Sequence, residues 1–159
     1  MHREENKENH VGRNPKISLD FIYSNALTEI EKGLKETING VILSKKAICI
    51  ALAQIKNKEL YRQIKIKSFK EYLKKNRIPF NYSTALDYSI IGEMLIKYEN
   101  ELKNVNFKED NGLQKLLLLE KALHKYKDRP QIVFEKINEV SYRIFKLFVN
   151  NREKSFKGE

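Results

Sequence analysis

Residue types that commonly carry catalysis are scarce and scattered in this chain. One cysteine, Cys49, and three separated histidines, His2, His10 and His124, provide neither a thiolate–imidazole pair nor zinc-ligand spacing. Acid neighbours such as Glu4/Glu5 and Glu109/Asp110 lie in polar stretches with no apolar period to hold them in a fixed geometry. There is no glycine-rich loop to cradle a phosphate and no H-E-x-x-H pair. The expectation is a protein that is not an enzyme and uses no cofactor or metal. Positive charge, in contrast, is abundant and concentrated. The chain carries 31 Lys and Arg against 21 Asp and Glu, a formal charge of +10. Residues 45–77 hold a net +9 of it, as Lys45, Lys46, Lys56, Lys58, Arg62, Lys65, Lys67, Lys70, Lys74, Lys75 and Arg77, offset only by Glu59 and Glu71. A general bias toward lysine would spread charge along the chain, so the clustering needs its own reason. The chemistry such a cluster performs is neutralisation of a row of phosphates with release of their counterions.

These side chains need elements to position them. At 159 residues, 41% of them hydrophobic and 33% charged, the composition is that of one soluble domain with a single core. No apolar run approaches the roughly 18 residues needed to span a bilayer, and the first residues lack a secretory apolar stretch. The reading is cytoplasmic, with no membrane partner. Residues 1–16 read as a disordered leader, residues 17–149 as a helical domain and residues 150–159 as a flexible basic tail. Within the domain the apolar spacing predicts about six helices and an all-α fold. The first runs from Ser18, with Leu19, Ile22, Tyr23, Leu27, Ile30, Leu34 and Ile38 as its stripe, and stops at Asn39-Gly40. Ser44 caps the second, which buries Ile48, Ala51, Leu52 and Ile55, with Cys49 as a small hydrophobe among them. Ser68-Phe69-Lys70-Glu71 is a capping box that opens a short third helix facing the core through Phe69, Tyr72 and Leu73. The break at residues 77–82, around Pro79, separates it from a fourth helix beginning near Ser83. Residues 99–112 read as a polar loop, residues 113–123 as a fifth helix, and Pro130 as the first turn of a sixth whose stripe runs from Ile132 to Phe148.

A short helix, a break and a second helix, with the basic segment immediately upstream, is the layout of a helix-turn-helix at about 68–98. In that arrangement Lys67, Lys70, Lys74, Lys75 and Arg77 contact phosphates. Asn81, Tyr82, Ser83, Thr84, Asp87 and Tyr88 enter or approach the major groove. Each of the latter has a structural alternative as a cap or core-edge residue. The stretches Ile55-Lys56-Asn57-Lys58-Glu59-Leu60-Tyr61, Lys67-Ser68-Phe69-Lys70-Glu71-Tyr72-Leu73, Ser83-Thr84-Ala85-Leu86-Asp87-Tyr88 and Gly112-Leu113-Gln114-Lys115-Leu116 resemble a helix-turn-helix module of plasmid and phage proteins. Over about residues 45–123 the resemblance is to the plasmid partition family of Borrelia spirochaetes. It implies a double-stranded DNA partner, a role in plasmid partition or replication control and an associated ParA-type ATPase. The chain departs from that pattern at Leu86 and Asp87, and has no lysine or arginine from Ile78 to Ile96. The alternative from a different class is a helical adaptor that does not read DNA, in which the fourth or sixth helix is an apolar face for a partner or for a second copy in a homodimer, an idea motivated by Phe145, Phe148 and Phe156.

Overall fold

Leu27, Ile30 and Leu34 recur at the three-to-four residue spacing of a helix face, and all three are fully buried. Burial of such a side chain is worth about 1.5–3 kcal/mol, so this stripe fixes which way the first long helix faces. The computed structural model describes residues 20–38, 45–105, 107 and 112–151. The expected leader, Asn39-Gly40, Ser44, Glu109/Asp110, Phe156 and all but the start of the expected tail lie outside them. Among the described residues there are eight α-helices, three 3-10 helices and no strand. They are α1 (Leu27–Ile38), α2 (Lys45–Asn57), α3 (Phe69–Leu73), α4 (Tyr82–Lys97), α5 (Glu99–Leu102), α6 (Leu119–Lys125), α7 (Pro130–Glu139) and α8 (Tyr142–Asn150). The 3-10 helices are Asp20–Tyr23, Leu60–Ile64 and Leu113–Leu118. The fold is all-α, and no described helix is long and apolar enough to cross a membrane.

The pair α2 and α4 is the wall between two apolar clusters. On one side Ala47, Ala51, Leu52 and Ile55 of α2 and Ala85 of α4 meet α1, the 3-10 helix Leu60–Ile64 and α3. On the other, Cys49 of α2 and Ile91, Met94 and Leu95 of α4 meet the elements from α5 to α8. The two helices come close because α4 has a glycine at the crossing. A β-carbon built on Gly92 would lie 1.9 Å from the Cys49 carbonyl oxygen.

Several helix boundaries differ from those the periodicity predicts. The first stripe is not one helix from Ser18. Asp20–Tyr23 is 3-10, and the chain then breaks so that the Ser24 hydroxyl accepts from Ala26 N–H at 3.1 Å. Gln63, 36 residues ahead of Leu27, closes that break by accepting the Leu27 N–H at 2.9 Å and donating to the Asn25 carbonyl at 2.6 Å. The expected polar loop after Tyr98 begins with a helical turn, because Leu102 is drawn into the core. The expected fifth helix is 3-10 up to Leu118 and α only afterwards. The expected sixth helix is two. Val140 is extended and Ser141 caps α8 by accepting from Ile144 N–H at 3.4 Å.

Two lysines hold this C-terminal pair in place. Lys115, almost fully buried, donates to the carbonyls of Ile137 at 2.7 Å and Val140 at 2.6 Å, where α7 ends. Lys125 donates to the Phe148 and Val149 carbonyls, both at 3.2 Å, and to that of Asn151, where α8 ends. An ammonium at the carbonyl end of a helix satisfies unpaired acceptors and matches the helix dipole.

Candidate nucleic-acid interface

The basic segment is built on an aromatic base. Tyr61, Phe69 and Tyr72 are buried with ring centroids 6.2 to 6.5 Å apart. Around them the backbone passes three times through the left-handed region, at Glu59 (φ 50°), Lys65 (φ 62°) and Asn76 (φ 53°). Between the last two Ile66 points in while Lys65 and Lys67 point out. Ser68 then caps α3 by accepting from Glu71 N–H at 3.1 Å, the N-cap half of the expected capping box; the return bond from Ser68 N–H to the Glu71 carboxylate is not made. With Phe69, Tyr72 and Leu73 committed to the core, Lys70, Lys74 and Lys75 are left exposed on the outer face.

The structure sorts the eleven cations of 45–77 by their partners. Lys56 pairs with Glu93 at 3.2 Å, Arg62 with Glu59 at 3.1 Å, Lys58 donates to the Tyr23 carbonyl, and Lys45 sits 5.5 Å from the centre of the Tyr88 ring. Arg77 is the most firmly engaged. Its Nε donates to Glu31 at 2.8 Å and its Nη2 to the other oxygen at 2.9 Å, a fork-on-fork pair. Glu31 is 4% exposed and also accepts from the Tyr72 hydroxyl at 3.2 Å. The hydrogen bonds Arg77 donates to Glu31, and the charge of that carboxylate, raise the Arg77 pKa above its ordinary value. Burial, reinforced by Glu31, pushes the Tyr72 phenol well above its own. Expected as a phosphate contact, Arg77 instead spends its guanidinium on tying α1, α3 and the following turn together. Eight of the eleven, Lys45, Lys46, Lys58, Lys65, Lys67, Lys70, Lys74 and Lys75, have no carboxylate partner among the described residues, and five of these eight lie within 65–75, where Lys74 faces the Tyr82 ring as Lys45 faces that of Tyr88. Lys65, absent from the expected set, belongs with them. The signal for it was the alternation about buried Ile66.

The expected base-reading residues are only partly brought together. Asn81 caps α4, accepting from Thr84 N–H at 2.8 Å, so its carbonyl oxygen is occupied. Ser83 is exposed, whereas Tyr82, Thr84, Asp87 and Tyr88 are half-buried. The Tyr82 ring lies 6.0 Å from the Lys74 ammonium, and Tyr88 meets Phe80 edge to face at 5.6 Å. From Ala85 onward α4 buries Ser89, Ile91, Gly92, Met94 and Leu95 between the two clusters. A helix covered in this way cannot lie lengthwise in a groove, so its first turn is the part left to meet a ligand. Among the described residues no three His, Cys, Asp or Glu side chains are grouped to hold a metal ion. Comparison of the chain with protein-family models, curated proteins and solved structures finds no match.

Proposed function

We propose that this chain is a DNA-binding protein acting in plasmid partition or replication control. It holds duplex DNA mainly by its phosphates, through the lysines of 65–75, with Ser83, the exposed residue of the first turn of α4, at the edge of that surface. The observation that carries the DNA part is the set Lys65, Lys67, Lys70, Lys74 and Lys75: five cations in eleven residues, none with a carboxylate partner among the described residues. An ammonium already paired inside the protein has little to gain from a phosphate. One that is only hydrated gains the entropy of a released counterion. The plasmid-maintenance role and a ParA-type ATPase partner rest on the resemblance of the 55–61, 67–73, 83–88 and 112–116 stretches.

The test is duplex affinity as a function of salt, by fluorescence anisotropy on the DNA flanking the chain's own gene and on random DNA. Five neutralised phosphates give a slope of about −4.5 in log K against log salt. Lys70→Ala, Lys74→Ala and Lys75→Ala together should leave folding intact and shrink that slope by about 2.7, equally on both DNAs. Ser83→Ala should change any preference between the two DNAs without changing the slope, since base contacts specify and phosphate contacts position. Unchanged binding by the triple variant at low and moderate salt would remove this surface as the interface.

A further inference from the structure

Among the described residues three large apolar side chains are exposed, Tyr23, Ile144 and Leu147, and the last two are each 49% accessible and one turn apart on α8. The inward face of that helix is already used, because Phe145 and Val149 are buried in the second cluster. Phe148 is engaged as well, stacked on Tyr126 with ring centres 4.5 Å apart. Ile144 and Leu147 therefore form an outer stripe that folding does not consume. Its flanks are cationic. Arg143 and Lys146 are exposed, α8 contains no acid, and neither cation has an ion-pair partner among the described residues. At the far end Lys121 reaches the same helix by donating to Asn150 Oδ1 at 2.8 Å, a neutral acceptor that leaves its charge uncompensated.

We propose that the outer face of α8 docks an acidic amphipathic helix of a second protein. The apolar residues of the partner would cover Ile144 and Leu147, and its carboxylates would meet Arg143, Lys146 and Lys121. Anchors three or four residues apart are how a helix is read by a surface, and charge of opposite sign on the rim sets partner and register. A second copy of this chain fits less well, since pairing α8 with itself places the Arg143 and Lys146 of both copies on one rim. A lipid surface fits less well too, because two half-exposed side chains offer little apolar area to bury in it. The site is independent of the lysines at 65–75, which belong to the elements around the first cluster.

The experiment is selection of a phage-displayed library of random peptides, about four helical turns long, on the full chain carrying Lys65→Ala, Lys67→Ala, Lys70→Ala, Lys74→Ala and Lys75→Ala, which removes the competing lysines of 65–75. Enriched peptides should carry apolar residues three or four apart flanked by Asp or Glu. A synthetic version should lose roughly tenfold or more in affinity for the chain with Ile144→Ser and Leu147→Ser, which stays folded by circular dichroism because both positions are exposed. Arg143→Glu with Lys146→Glu should also lose the acidic peptide and gain a version with lysines in place of its acids. The proposal is overturned if no peptide enriches, or if the enriched peptides are not acidic or bind regardless of these substitutions. Leu147-dependent self-association in sedimentation, or Leu147-dependent binding to vesicles of phosphatidylserine and phosphatidylcholine, would overturn it in favour of a second copy or a membrane.

Discussion

Glu31 and Arg77 show how one residue's partner decides what it is free to do. Arg77 counts toward the basic segment by sequence, yet its charge is cancelled by a carboxylate 46 residues away. No spacing rule reaches that far, so this pair was not legible in the chain, whereas the Ser68 cap, complete within four residues, was. The pair also yields a prediction with two signs. Glu31→Gln removes the buried carboxylate, and because Arg77 is itself 39% exposed at its side chain it can swing into water. Stability should fall by about 2 kcal/mol, less than the roughly 3–5 kcal/mol of a fully buried pair because the freed guanidinium regains water. At the same time a free guanidinium appears two positions after Lys75, so duplex affinity at low salt should rise and the salt slope should steepen by about 0.9. Denaturant melts and anisotropy titrations on the same preparation separate the two. A loss of both stability and affinity would mean that the pair shapes the lysine surface and does not merely withhold Arg77 from it.

At the scale of elements, the apolar stripes located most helices but not their ends. Pro130 at the first turn of α7 and the stripe Leu27, Ile30, Leu34 behave as their spacing predicts. Leu113 to Leu118 satisfies the same pattern as a 3-10 helix, since three-residue spacing is common to both helix types. Ser141 was hidden inside a continuous stripe, where a cap and an ordinary helical serine look alike until the backbone is known. The crossing of α2 and α4 was likewise invisible, and it rests on one glycine. Gly92→Ala drives a methyl group into the backbone of α2 at Cys49 and should cost about 3 kcal/mol, because backbone cannot step aside. Gly33→Ala meets only the Phe21 ring, which is half-buried, and it gains about 1 kcal/mol of helix propensity, so its net cost should be clearly smaller. Urea midpoints of the two variants give the order directly. Equal midpoints would show that the α2–α4 crossing has slack.

For the molecule as a whole, the two clusters on either side of α2 and α4 bring groups into the interior whose titration must then act on global stability. Burial pushes the Cys49 thiol up from 9.0 to about 12. Between those values the unfolded chain has lost a proton that the folded chain keeps, so stability is full below about pH 9 and falls as pH rises, by up to about 1.4 kcal/mol per pH unit from this thiol. Tyr72, raised by burial and by Glu31, acts in the same direction above its ordinary value. Lys115 opposes them, since burial lowers its pKa and stability gains as pH approaches the ordinary lysine value of 10.5. Cys49→Ala should be less stable than the parent at pH 8 through its cavity, and the gap should narrow steadily from pH 9 to 11. Thermal melts across that range test it, and parallel curves would show that the thiol is not shielded. The lysines of 65–75 stand apart from this interior. They form no ion pair among the described residues and bury no core surface, so folding tolerates their replacement, Lys65 with its left-handed backbone excepted. Under the proposed function, the grip on a polyanion can therefore be raised or lowered one substitution at a time without remaking the core. Glu31 and Arg77, tied to each other, change singly only at a cost to the fold.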